Sequence, residues 1–199
     1  MWAGGELAID GELIPNDSVT RISTVEAITP RSGRSGPLWF LTMRHHWQVK
    51  GRTRMDERQD LVFRADPTPK APTPAPPRAE PWPTAQRWHF TPDSTLLFRY
   101  SALSFNGHRI HYDHPYATEV EGYAGLLTHG PLQATLMLNL ATEVVGHLPT
   151  RFSYRALTPL LVGEKISVEA RRSDEGLDLR IRRERDGALT MAAHSSPAG

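Results

Sequence analysis

The chain of 199 residues contains no cysteine, which excludes disulfides, thiolate metal sites and thiol redox chemistry. Lysine is nearly absent too: of 23 basic residues only Lys50, Lys70 and Lys165 are lysines, and the rest are arginines. So uniform a bias reads as codon usage rather than a phosphate clamp. Arg171, Arg172, Arg180, Arg182, Arg183 and Arg185 are interleaved with acidic and apolar residues, as on the wet face of strands. A net charge of +1 gives no electrostatic case for nucleic acid. No run approaches the ~20 apolar residues of a membrane span. The opening MWAGGELAID lacks the basic and apolar regions of a signal peptide. These absences imply a cytoplasmic protein with neither nucleic acid nor membrane as partner.

What is present suits a globular protein. Apolar residues at 39% and charged residues at 23% are ordinary, and the length allows one large or two small domains. Eight prolines fall between Asp66 and Arg87. Each fixes φ and removes a backbone donor, so this segment forms neither a helix nor an inner strand. It reads as an extended linker, 66–87, between an N-terminal half (1–65) and a C-terminal half (88–199).

The halves resemble each other. GELIPNDSVTRIS (Gly11 to Ser23) and TPLLVGEKISVEARR (Thr158 to Arg172) each run from an apolar pair through a turn into alternating residues. Aligning Asn16-Asp17 with Gly163-Glu164 gives an offset of 147 (163 − 16). Further period-two segments follow in each half: Leu38 to Trp47 and Asp60 to Arg64, then Leu177 to Arg182 and Ala188 to His194. That period marks half-buried antiparallel strands. Pro131 to Val145 reads instead as a helix, opened by Gly130-Pro131 and closed by Gly146. Leu132, Leu136, Met137, Leu140, Val144 and Val145 line one broad face, and Leu138 and Ala141 leave little of the rest polar, so the helix is expected to be buried. Under the offset, Met1 corresponds to position 148. The first half therefore starts where its own helix would have ended: either the chain start is truncated or the first half covers its sheet face some other way, since Trp2, Leu7 and Ile9 would otherwise have no helix to pack on.

The densest chemistry lies in YSALSFNGHRIHYD, Tyr100 to Asp113, which places Asn106, His108 and His111 within six residues, upstream of His129-Gly130-Pro131. The first turn of a helix offers unpaired N–H groups and the positive end of the macrodipole. Pro131 has no N–H, so Gly130 is the nearby donor. A base beside an oxyanion site is what adding water to, or removing it from, an acyl thioester requires. A preorganised donor of that kind is worth roughly 3–4 kcal/mol.

SALSFNGHRIHYDHPYA followed by EGYAGLLTHGPLQATLM resembles the MaoC-like hydratases of the hot-dog fold. It resembles more closely the branch with mesaconyl-CoA and itaconyl-CoA hydratases and the fungal mitochondrial 3-hydroxyacyl-thioester dehydratase. The sharp match covers about Phe98 to Arg155. WAGGEL, RSGPLWFLTMRH and RQDLVFR also look like the first half of double hot-dog proteins. The resemblance implies an α+β double hot-dog fold, an antiparallel sheet wrapped around a central helix, with the N-terminal hot dog incomplete. It implies reversible hydration of a 2-enoyl thioester carried on coenzyme A or an acyl carrier protein, with no metal, nucleotide or redox cofactor. In the family motif an Asp and a His five residues apart activate water together. His111 falls on the His, Asn106 on the Asp, and Gly130 on the residue whose N–H polarises the thioester carbonyl. An amide takes no proton at neutral pH, so Asn106 orients by hydrogen bonds and His111 is left as general base.

Substrate contact is expected from His108, His129, Arg99 and Arg155, the arginines toward coenzyme A phosphates or a second carboxylate, although each arginine, like Arg151, reads equally as a solvated strand residue. Plainer readings stand beside these. From spacing alone His111 reads equally as a structural histidine; Asn106 also reads as the cap of a turn, and Tyr112 and Tyr116 as packing. His108, His111, Asp113 and His114 form a metal cluster only if HxxH lies on one helical turn, which Gly107 and Ile110 disfavour. His45 and His46 have no partner motif. A non-catalytic thioester-binding subunit is the rival function. A thioesterase ranks lower, because its carboxylate would have to be Glu143, near the far end of the helix. The uncovered sheet face of the first half implies a homodimer or higher homo-oligomer.

Overall fold

The computed structural model describes residues 1–33, 36–64, 75–83 and 85–196. Strands β1 (Trp2–Ile9), β2 (Val19–Gly33), β3 (Gly36–Val49) and β4 (Arg52–Arg64) form an antiparallel run in the order β2-β3-β4-β1. Lys50 and Gly51, both at positive φ (51° and 75°), close the two-residue hairpin between β3 and β4. After β5 (Gln86–Phe90), the second half repeats the pattern. Its strands β6 (Arg151–Ala156), β7 (Ile166–Ser173), β8 (Gly176–Arg183) and β9 (Leu189–Ser196) run β7-β8-β9-β6, with β5 on the edge beside β7.

The two runs join through β1 and β6 into one nine-stranded sheet. The sequence offset survives in three dimensions. Val19 and Ile166 open β2 and β7 (166 − 19 = 147), and the β1–β6 ladder, Gly4–Arg155 to Ala8–Arg151, centres on Glu6–Ser153 (153 − 6 = 147). The pairing of β1 with β6 also shows how the first strand is covered without a helix of its own half. Trp2 and Leu7 do have a helix to pack on, because β1 lies beside β6 and both side chains join the core of the second half.

That core is built by α2 (Gly130–Val145) against β6 to β9. Met137, Leu140 and Ala141 on the helix meet Phe152, Ile166, Val168, Leu179, Ile181 and Met191, all essentially inaccessible. Gly146 ends the helix at φ 88°, with its N–H on the Thr142 carbonyl at 2.8 Å. The buried face differs slightly from the apolar stripe read in the sequence. It includes Gln133 and Ala134, while Leu136, Leu138, Val144 and Val145 pack from the flanks. The first half has no helix among its described residues, and Val25, Ile28, Trp39 and Phe63 stay exposed there.

Of the proline-rich segment, residues 66–74 and 84 lie outside the described residues. Residues 75–83 contain no helix and form one isolated bridge, Arg78 with Ala188 just before β9. Gln86 and Arg87, assigned to the linker from sequence, belong to β5. Glu169, fully buried, anchors this approach. It pairs with Arg180 at 2.8 Å, Arg182 at 3.3 Å and Arg87 at 3.3 Å. Arg180 also donates to the Glu80 carbonyl and lies 3.8 Å over the Trp82 ring. Among the described residues no helix is long and apolar enough to cross a membrane.

Candidate active site

The segment between β5 and α2 folds over the helix N-terminus. It opens with α1 (Ser94–Leu103), which the periodicity reading left unassigned although Asp93 is a capping residue. Its carboxylate accepts the Leu96 N–H at 2.7 Å. Leu97, Ile110, Ala117, Leu126 and Leu127 form a separate apolar cluster that anchors the segment. After α1 the chain reverses through Phe105, a non-glycine residue at φ 51°, and the Asn106 N–H bonds the Ser101 carbonyl at 2.9 Å. A 3-10 turn over Arg109–His111 follows. Tyr112 Oη donates to the Gly107 carbonyl at 2.8 Å, and Tyr116 lies 4.1 Å under the Arg109 guanidinium, so both tyrosines brace the loop.

This frame holds two buried histidines face to face. The rings of His111 and His129 stack with centroids 3.7 Å apart at 20°, and His108 meets His111 edge-on at 5.7 Å. His111 Nδ1 sits 2.7 Å from the Leu127 carbonyl. A carbonyl only accepts, so Nδ1 carries the proton and Nε2 keeps its lone pair. Burial pushes the His111 pKa below the ordinary 6.5. The Leu127 carbonyl opposes that shift and His108 adds to it. His129 is pushed further, to about 3, first by burial and then by His111 and His108. Its Nε2 bonds Ser101 Oγ at 2.8 Å, and its Nδ1 is buried without a partner.

A cavity of about 470 Å³ opens beside this stack. Asn106, His108, His111 and Gly130 line it together, with Trp2 and Ala3 of β1 supplying one wall and Leu127, Thr128, Gln133, Leu160 and Thr190 others. Asn106 both caps and faces the cavity: its Oδ1 accepts the His108 N–H at 3.0 Å, which leaves its Nδ2 as donor. Gly130 opens α2, so its N–H has no acceptor within the helix. Trp2 supplies the crowding that demands glycine here, since an added Cβ would stand 2.6 Å from its ring. No Asp, Glu, Arg or Lys is among the described lining residues.

A family model, hydroxyacyl-thioester dehydratase type 2, matches residues 1–162. The chain belongs to the hydroxyacyl-thioester dehydratase type 2 family. It is 38% identical to the mesaconyl-C(4)-CoA hydratase of Chloroflexus aurantiacus over 97% of this chain and 68% of that protein. Among solved structures, HtdX of Mycobacterium tuberculosis superposes over the whole chain and 76% of its own length, with a TM-score of 0.77 at 20% identity. A second M. tuberculosis protein, described as a double hotdog fold, gives 0.61 at 17% identity over 99% of this chain and 74% of its own. The fold is the double hot dog, with one central helix, α2, for two runs of strands among the described residues.

Within this dehydratase family framework the remaining expectations sort by position. His129 does not line the cavity but lies behind His111. Arg99 is exposed on α1 and does not line the cavity. Arg155 lines a separate depression with Gly4, Thr42, Asp60 and His194, since it alternates with Tyr154, whose ring joins the core. Glu143 is exposed and away from the cavity, so the thioesterase reading has no carboxylate at the site. Among the described residues no three His, Asp or Glu side chains are grouped to hold a metal ion. The sequence reading missed Ser101, Thr128, Gln133 and Thr190. Only Gln133 carried a signal, a polar residue inside an otherwise apolar helix.

Proposed function

We propose that the protein catalyses reversible hydration of a 2-enoyl thioester, with an acyl-CoA as substrate and His111 as the base. The observation that carries this is the bond from His111 Nδ1 to the Leu127 carbonyl, which leaves Nε2 as an acceptor in the only tautomer the carbonyl allows. In hydration, Nε2 takes a proton from water while the hydroxyl oxygen bonds to Cβ. The Cα=Cβ electron pair moves toward the thioester oxygen, where the Gly130 N–H meets the developing charge. The imidazolium then returns a proton to Cα, so nothing is consumed but water. Asn106 Nδ2 orients the water, and His108 contacts the acyl thioester at the mouth. The relative named as a mesaconyl-C(4)-CoA hydratase supports a short dicarboxylic acyl group. In this reading residues 88–199 are the catalytic hot dog, and residues 1–65 an incomplete one that lends Trp2 to the site. The exposed Val25, Ile28, Trp39 and Phe63 support self-association into a homodimer or larger homo-oligomer. The proposal keeps the cytoplasmic location expected from the sequence.

The test follows the enoyl-thioester ultraviolet band of crotonyl-CoA and mesaconyl-CoA. Loss of the band with wild type but not with His111→Ala is the expected result. Tight binding of both substrates by wild type with no absorbance change would instead make the protein a binding subunit.

A further inference from the structure

The cavity contains polar groups that water addition does not use. Gln133 sits one turn into α2, is 4% exposed, and accepts at its Oε1 from Thr190 Oγ1 at 2.7 Å. With the oxygen so engaged, its two amide N–H groups are left as donors at the cavity wall. Thr128 lines the same wall at 5% exposure, and its Oγ1 is buried with no hydrogen-bond partner. Orphaned hydroxyls of this kind are rare in folded proteins, and this one belongs to a residue of the cavity wall, next to the Gln133 donors. Ile110, Leu127 and Leu160 make the neighbouring lining apolar. With no cationic side chain among the described lining residues, neither Arg99 nor Arg155 is available there for a second carboxylate.

We propose that Gln133, held by Thr190, and Thr128 form a neutral hydrogen-bonding subsite that reads an acceptor group on the acyl chain. The substrate class is then a short acyl thioester bearing a carboxylate or hydroxyl, rather than a plain alkyl chain. This rests on the hydratase reading of the same cavity. Discrimination follows from unsatisfied donors: an alkyl chain would bury the Gln133 amide and the Thr128 hydroxyl against carbon. Sites built to hydrogen-bond a substituent reject analogues lacking it more sharply than apolar pockets discriminate by size.

Saturated thioesters, which cannot be hydrated, separate binding from turnover. Calorimetric titration would compare succinyl-CoA, 4-hydroxybutyryl-CoA and butyryl-CoA on wild type, Gln133→Leu and the near-isosteric Thr128→Val. Wild type is expected to bind at least one acceptor-bearing chain about 10-fold more tightly than butyryl-CoA, and the order of the two tells carboxylate from hydroxyl. Each variant is expected to lose that preference while its butyryl-CoA affinity holds or improves. Equal affinities in wild type, or a preference intact in both variants, would overturn the subsite. Turnover of mesaconyl-CoA as well as crotonyl-CoA, measured in parallel, isolates the other claim. Selective binding without any hydration would overturn the hydratase reading and leave the subsite standing.

Discussion

The two halves of the sheet share a strand order but not what lies against it. In the second half α2 seals Met137, Leu140 and Ala141 against four strands at 0% exposure, whereas in the first half Val25 and Ile28 remain 52% and 61% exposed. Chemistry follows the helix as burial does. Each half buries histidine, yet His45 of β3 is spent on Ser23 Oγ at 2.8 Å with no base partner. His111 and His129 stack beside a helix N-terminus and a cavity. Alternating strands are therefore sufficient for the sheet. The site needs two further devices: a helix end that presents an N–H, and an overlying segment that fixes the tautomer of a ring. The bare half still contributes through Trp2, which stacks on Tyr154 at 4.6 Å and closes on Gly130.

The sharpest way to break this comparison is to remove one histidine from each half. His111→Ala is expected to lower kcat/KM for enoyl-CoA hydration by about 10²–10⁴-fold, the usual contribution of a general base. His45→Ala should leave it unchanged. Equal losses in the two variants would mean that both histidines act only through folding. A smaller effect is expected in stability. Met137→Ala opens a cavity in the sealed core and should cost roughly 2–5 kcal/mol in urea denaturation. Val25→Ala on the bare strand should stay within about 0.5 kcal/mol. A larger loss at Val25 would show that its face is covered in solution, which concentration-dependent sedimentation would detect.

Much of this was legible in the residues, for identifiable reasons. The repeat offset rested on turn chemistry at Asn16-Asp17 and Gly163-Glu164, and turns are local, so it carried straight into strand register. The helix was legible because Gly130-Pro131 and Gly146 punctuate it. Asn106, His111 and Gly130 converge on one cavity because sequence neighbours on a short loop cannot lie far apart. Partners fixed by tertiary packing were not legible. That Trp2 would reach Gly130 depends on β1 pairing with β6, 147 residues away at the ladder's centre (153 − 6). That Gln133 would bond Thr190 depends on which face of α2 meets β9. Arg99 and Arg155 were credible as ligands only while the direction of their side chains was open.

The histidine stack also gives the second half a pH sensitivity in stability. His129, held near 3 in the folded state, refuses a proton that its ordinary pKa of 6.5 would let the unfolded chain accept. Between those values the unfolded state binds more protons. Its stabilising contribution is thus complete above pH 6.5 and is lost progressively toward pH 3, with a slope of about 1.4 kcal/mol per pH unit. Denaturation free energies at pH 7 and pH 5 should show a smaller drop in His129→Gln than in wild type. An identical drop would assign the acid sensitivity to other groups.

The finest effect concerns His108, which touches the base without replacing it. As the proposed base, His111 would act only when neutral, so its acid limb in kcat/KM should lie below pH 6.5, because burial above all depresses its pKa. Positive charge on His108, edge-on at 5.7 Å, contributes to the same depression, while the Leu127 carbonyl opposes it. His108→Ala removes that repulsion and leaves burial and the carbonyl in place. The limb should therefore move upward toward 6.5, and activity at mildly acidic pH should fall relative to the plateau. An unmoved limb would confine His108 to bracing or substrate contact. A downward shift would mean that the His108 ring stabilises the His111 imidazolium in their edge-on contact more than its charge repels it.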